Sequence, residues 1–135
     1  MKEVKCLYHK AVILSGILGV LIIAVVFLFT TPIVSVFNSE QNMELQKMAE
    51  NGLRIYFVGF LFVGFNIVTA SLFGAISQPK ASFFLSVFRG CIGIILIVFL
   101  FSYLMGLFGV WITFPVVELL TLLIGIGQYK KILSV

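Results

Sequence analysis

Long apolar runs, separated by short polar stretches, dominate the chain. Four of the runs contain about 20 mainly apolar residues, the length that an α-helix needs to cross the hydrocarbon core of a bilayer. They predict membrane spans at about residues 11–31, 53–77, 81–104 and 107–128. The chain is therefore predicted to be an all-α integral membrane protein in which residues 1–135 form one unit with four transmembrane helices.

The polar breaks predict how the spans are joined. Pro32 ends the first run, and the Gln-Pro-Lys sequence at residues 78–80 predicts a short turn between the second and third spans. Residues 105–109 contain glycine and predict a tight link, so the third and fourth spans should form an antiparallel hairpin.

The segment between the first two spans is amphipathic. Its apolar residues recur at helical spacing and predict a helix over about residues 39–51 on the outer surface, capped by Asn38 or Ser39. Glu50 and Arg54 lie four positions apart and are predicted to pair on its surface.

Composition excludes a water-soluble globule. Charged residues make up 10% of the chain, against about 25% in an ordinary soluble domain. Hydrophobic residues make up 61%, and the mean hydropathy is +1.23. A chain of this size has too small a core to hide so much apolar surface, so the lipid bilayer is its predicted partner.

The positive charges indicate orientation rather than nucleic-acid binding. The net charge is +4, but the Lys and Arg residues lie at the chain ends and between the apolar runs instead of forming one stripe. Lys47 and Arg54 fall on one side of the predicted bilayer. Six lysines fall on the other side, namely Lys2, Lys5, Lys10, Lys80, Lys130 and Lys131. Because basic loops are retained inside, both termini are predicted to be cytoplasmic, in a bacterial cell membrane.

Few residues could carry out catalysis or bind a metal. The chain contains one histidine, His9, and no aspartate, and its two cysteines, Cys6 and Cys91, do not have metal-ligand spacing. Acid–base pairs, nucleophile triads and metal clusters therefore lack the residues that they need. We predict no enzyme activity, no catalytic residue, no metal and no cofactor, apart from a coupling proton or sodium ion.

Two charged residues, Arg89 and Glu118, lie inside the predicted spans. Each would cost about 2.5–3.5 kcal/mol at a helix centre if left unpaired. A rise of 1.5 Å per residue places Arg89 about 13 Å from Lys80 and Glu118 about 18 Å from Lys130, at similar depths. We predict that they pair, directly or through water, for a structural purpose. In one alternative Glu118 is a proton or cation site facing an aqueous cavity, and in another Arg89 snorkels to the interface.

The second span carries a polar stripe. Asn66 and Thr69 lie near one helical face, beside the small residues Ala70 and Gly74. Such a stripe lines a substrate cavity in one interpretation, and allows close packing of neighbouring helices in the other.

Three segments resemble the carboxy-terminal part of multidrug and toxic compound extrusion (MATE) transporters. They read PIVSVFNSE, MAENGLRIYFVGFLFVGFNIVTASLFGAISQPKASFFLSVFRG and GLFGVWITFPVVELLT. The resemblance lies in an ordered set: an amphipathic stretch leading into LRIYF, the turn at residues 78–80, the intramembrane Arg89, and the G-x-W…P-x-x-E pattern of residues 109–118. It covers about residues 11–128.

The resemblance implies a fold and an activity. MATE transporters have about twelve spanning helices in two lobes and expel cationic or amphipathic drugs in exchange for protons or sodium ions. The four spans would be helices nine to twelve, a partial lobe that needs the missing amino-terminal helices or self-association as its partner. The acidic residue that some sodium-coupled members carry on helix ten has no counterpart in residues 53–77. Asn66 and Thr69 therefore remain as the predicted cavity lining.

Two other functions fit the four spans. One is a small stand-alone multidrug efflux protein acting as a homodimer, although that group depends on a glutamate in its first span and residues 11–31 contain none. The other is a membrane assembly subunit that does not transport.

Overall fold

The computed structural model describes residues 2–133, which form α-helices joined by short turns. Between the fifth and sixth of these helices, Phe88–Ile92 forms a π-helical turn. The α-helices within the described range are α1 (Lys2–Leu28), α2 (Thr30–Phe37), α3 (Met43–Val58), α4 (Phe60–Ala75), α5 (Pro79–Val87), α6 (Gly93–Met105) and α7 (Leu107–Leu133).

Within residues 2–133, four helical stretches are long and apolar enough to cross a membrane. They are Lys2–Leu28, Met43–Ala75, Pro79–Met105 and Leu107–Leu133. Many large apolar side chains on them are exposed, for example Phe99 at 74%. In lipid this exposure carries no penalty, because the solvent is itself apolar. The predicted all-α membrane fold with four spans is confirmed.

The first helix and the outer amphipathic helix differ from their predicted bounds. Helix α1 begins at Lys2, so the basic amino-terminal segment continues the first span as helix. Helix α3 begins at Met43 rather than near residue 39, and only Gly59 separates it from α4. The outer helix and the second span therefore form one nearly continuous rod.

The cap of α3 is Asn42, not Asn38 or Ser39. Asn42 Oδ1 accepts hydrogen bonds from the amides of Glu44 at 2.9 Å and Leu45 at 3.2 Å. Asn38 ends α2 instead, and its Nδ2 donates to the Asn42 carbonyl at 2.9 Å. The two asparagines thus divide the loop between them, one ending a helix and the other starting the next.

Replacing Asn42 with Ala tests this assignment. The change removes the acceptor of two amides that have no intrahelical partner, and we expect a loss of about 1 kcal/mol in unfolding free energy. Unfolding of the purified chain in detergent–SDS mixtures, followed by circular dichroism, measures it. The matched control is Ser39→Ala, at an exposed position, which should change stability by less than about 0.5 kcal/mol. Equal losses in both variants would refute the assignment.

The predicted ion pair of Glu50 with Arg54 is not among the ion pairs of the described residues. Glu50 Oε1 accepts from Gln46 Nε2 at 2.9 Å, while Arg54 Nε lies 3.4 Å from Thr30 Oγ1. Thr30 starts α2 and is buried, so Arg54 reaches across to the start of that helix. Glu50 therefore pairs with the preceding turn of α3, whereas Arg54 contacts a residue of α2.

Helix α4 is the centre of the bundle. It packs against α1, α5 and α7, while α6 packs along α7. The apolar core is formed by Ala70 and Phe73 of α4 with Leu85 of α5. Gly106 joins α6 to α7 with a φ of 60°, a left-handed conformation that favours glycine. This arrangement brings α4, α7 and the π-helical turn next to one another.

Candidate functional site: a buried charge cluster

Three spans meet at one buried carboxylate. Glu118 lies on α7 and is 1% exposed. Arg89 approaches it from the π-helical turn and Asn66 from α4. An ionised side chain at such depth needs charge compensation and hydrogen bonds, and this cluster provides both.

Both oxygens of the Glu118 carboxylate are engaged. Arg89 Nη2 lies 2.9 Å from Oε1, and Arg89 Nε donates to the same oxygen at 3.1 Å. Asn66 Nδ2 donates to Oε2 at 2.7 Å and to the Glu118 main-chain carbonyl at 2.8 Å. The pair is neutral overall, and it is the only ion pair found within residues 2–133.

The π-helical turn presents Arg89 to the cluster. A π turn inserts an extra residue into a helix, and such turns are frequent at functional sites. Gly93 follows the turn and donates its amide to Phe88 O. A Cβ at Gly93 would lie 2.7 Å from that oxygen and 3.1 Å from Val117 Cγ1. Because Gly93 has no side chain, the third span can pack closely against Val117 of α7, the residue that precedes Glu118.

The structure places Arg89 and Glu118 in direct contact and adds Asn66 to them. The Asn66 carbonyl oxygen Oδ1 is buried and has no partner in the part of the chain that the structure describes. The cluster therefore has one unused hydrogen-bond acceptor. Asn66 is 1% exposed and lies between helices. Its predicted role in lining a drug cavity stays a prediction.

Thr69 belongs to a second contact. Its side chain is fully buried, donates to the Phe65 carbonyl at 2.7 Å and lies 2.9 Å from the Tyr8 hydroxyl. Tyr8 also stacks on Tyr129, with ring centroids 4.9 Å apart. Thr69 thus ties α4 to α1, and Tyr8 extends the contact to α7. The predicted role of Thr69 in a cavity likewise stays a prediction.

Sequence analysis missed Tyr8, which lies ahead of the predicted first span. The signal was present, because Tyr8, Ser15 and Gly19 are spaced by seven and four residues and share one helical face. All three meet α4, where Ser15 packs against Gly64 and Gly19 against the main chain of Phe60.

Within residues 2–133, no group of three or more His, Cys, Asp or Glu side chains is placed to hold a metal ion. Cys6 and Cys91 are free and exposed.

A comparison with protein families gives the evolutionary relationship. A family model described as MatE matches residues 1–99, more than half of the 135-residue chain. The chain belongs to the MATE family. Searches of curated proteins and of solved structures each gave no match. The matched range contains Asn66, Thr69 and Arg89 and ends before Glu118.

MATE membership confirms the resemblance found in the sequence. MATE proteins are efflux transporters rather than enzymes, and four spans capable of crossing a membrane make this chain a multi-pass membrane protein. Ionisable residues within membrane spans pair with one another or mark ion and proton pathways.

Proposed function

We propose that the chain is the carboxy-terminal part of a MATE-type multidrug efflux antiporter, which exports cationic or amphipathic compounds in exchange for protons or sodium ions. The observation that carries this proposal is the MatE match, which covers the first two spans and the third as far as residue 99. In this proposal the four spans are helices nine to twelve. Both termini lie on the cytoplasmic side of a bacterial cell membrane, as the distribution of lysines favours.

The Glu118 cluster acts in this proposal as a structural clamp. Glu118 is 1% exposed, and both of its carboxylate oxygens already accept hydrogen bonds, which favours a fixed tie over an ion-exchange site. Rocker-like alternating access moves one lobe against the other as nearly rigid bodies. A clamp across α4, α7 and the π-helical turn would keep these spans together during that motion.

Exposed apolar faces on the spans can contact lipid or further helices. On α1, Leu14, Ile17 and Leu21 are 60%, 53% and 55% exposed. Such surfaces face lipid or the other helices of a larger bundle. We therefore propose that transport requires the remaining MATE helices or self-association.

Ethidium efflux tests the proposal in a bacterial strain that lacks its own major drug exporters. The chain is expressed alone or together with a polypeptide that supplies helices one to eight of a MATE transporter. We expect efflux only from the combination, because the chain alone offers no second lobe to rock against. Immunoblotting confirms equal amounts of the chain in the membrane.

A charge-neutral double variant separates the clamp from a coupling site. Arg89→Gln with Glu118→Gln keeps hydrogen-bonding side chains but removes both charges, so a clamp should still support efflux in the combination. Loss of efflux from a correctly inserted double variant would instead assign ion coupling to Glu118.

Efflux by the chain alone that Glu118→Gln abolishes would support a small homodimeric exporter. Crosslinking to a distinct protein without any drug resistance would support an assembly subunit.

A further inference from the structure

A second polar site lies at the end of the bundle where the chain is most basic. It is a pocket of about 340 Å³ between the α4–α5 turn and the last turns of α7. We call it the lysine pocket, lined by Gln78, Lys80, Ala81, Gln128, Lys131 and Ile132. Neither the charge cluster nor the proposed transport function uses these residues.

Among residues 2–133, the lining of the lysine pocket carries two positive charges and no carboxylate. Lys80 and Lys131 come from different spans, and both are exposed. No acidic residue lines the pocket, and the one ion pair within residues 2–133 lies elsewhere, at Glu118. Two ammonium groups facing one cavity attract an anion, and basic pockets between spans at the membrane surface are typical of sites for lipid headgroups.

Backbone amides add to this preference. Helix α5 begins at Pro79, and Gln78 makes no side-chain capping bond. The amide of Ser82 donates to the Gln78 carbonyl at 3.2 Å. The amides of Lys80 and Ala81 lie in the first turn of α5, ahead of that bond, where amides have no acceptor within the helix. Such amides favour an anion at the start of the helix.

Gln128 distinguishes among anions. Its carbonyl oxygen Oε1 is buried and has no partner among the described residues. An ionised phosphodiester has no proton to donate to such an oxygen, whereas a headgroup with a free hydroxyl has one. Ala81 and Ile132 add an apolar wall beside the polar groups.

We propose that the lysine pocket binds the headgroup of an anionic phospholipid of the phosphatidylglycerol type, with the phosphate between Lys80 and Lys131 and a glycerol hydroxyl donating to Gln128 Oε1. The occupant joins the ends of the second, third and fourth spans. The basic amino-terminal segment lies near the same end of the bundle, since Lys5 Nζ donates to the Leu133 carbonyl at 3.0 Å.

Native mass spectrometry of the full chain in detergent measures binding of phosphatidylglycerol against phosphatidylcholine. We expect preferential binding of phosphatidylglycerol, which Lys80→Gln with Lys131→Gln weakens by about fivefold per lysine, or roughly 25-fold in total. The matched control is Lys2→Gln with Lys10→Gln, which removes the same charge from α1 outside the pocket. Equal weakening by both double variants would overturn the proposal, because it would indicate diffuse attraction rather than a site.

Gln128→Leu provides an independent test. It should weaken binding of phosphatidylglycerol but leave binding of phosphatidylmethanol, an anionic phosphodiester lipid whose headgroup has no hydroxyl, unaffected. If Gln128→Leu changes the binding of neither lipid, the assignment of Gln128 is wrong.

Competition with inorganic phosphate identifies the source of the anion. Displacement of phosphatidylglycerol by millimolar phosphate would overturn the lipid assignment in favour of a free anion. Unchanged unfolding midpoints of the variants confirm that each of them folds.

Discussion

Replacing Arg89 with Gln is expected to lower the unfolding free energy of the chain by about 3–5 kcal/mol, the usual cost of removing one partner from a buried ion pair. Glu118 would keep its hydrogen bonds from Asn66, but its side chain is 2% exposed and would carry an uncompensated charge. Glu118→Gln should cost less, about 2–3 kcal/mol, because the Arg89 side chain is 19% exposed and its guanidinium can turn toward the interface.

The double variant decides whether the two side chains interact. Arg89→Gln with Glu118→Gln leaves no buried charge, so its cost should be well below the sum of the two single costs. Reversible unfolding in detergent–SDS mixtures, followed by the fluorescence of Trp111, the one tryptophan of the chain, gives all three values. Strictly additive costs would show that the pair has no coupling energy.

A matched cycle on exposed charges provides the control. Glu44 and Lys47 lie three positions apart on α3, and both are exposed. Surface charges of this kind contribute about 0–1 kcal/mol. Neutralising either residue should therefore leave the unfolding midpoint nearly unchanged. A large loss in this control would mean that SDS unfolding responds to charge itself rather than to the buried pair.

The existence of the spans was predictable because lipid leaves few structural choices. A long apolar run in hydrocarbon must satisfy its own backbone hydrogen bonds, so it forms a helix whatever its neighbours do. Because helical rise is constant, counting residues along the third and fourth spans predicted similar depths for Arg89 and Glu118. In the structure these two side chains are in direct contact.

The rotation of each helix about its axis was not predictable in the same way. Asn66 joins the cluster because of how α4 packs on α7, and the sequence described Asn66 only as part of a polar stripe. The π-helical turn at Phe88–Ile92 also changes local register, and an apolar segment carries no periodic signal for such an insertion.

The predicted start of the outer helix differs from the structure because two asparagines of one loop could each cap that helix. Asn38 and Asn42 lie in one loop, and both have the side chain that helix N-caps prefer. Helix α2 continues to Phe37 and takes Asn38 as its C-cap, which leaves Asn42 to start α3. Gln41, with a φ of 51°, reverses the chain between them. The extent of α2 is therefore the information that the sequence analysis lacked.

The α6–α7 hairpin should be the part of the fold most sensitive to a single added side chain. A Cβ at Gly109 would overlap the backbone carbonyl of Phe101 on α6. A carbonyl within a helix cannot rotate away, so Gly109→Val must push the two helices apart and expose their packed faces. We expect a loss of about 3 kcal/mol in unfolding free energy, at the upper end of the usual cost of overpacking.

Gly127 provides the matched control for that substitution. It lies on the same helix, and a Cβ there would meet no atom within 4 Å. Gly127→Val should therefore change the unfolding free energy by less than about 0.5 kcal/mol. The same unfolding assay in detergent–SDS mixtures compares both variants with the unaltered chain. If the two variants lost equal stability, valine itself would be the cause, and the close approach of Gly109 to Phe101 would not be what holds the hairpin together.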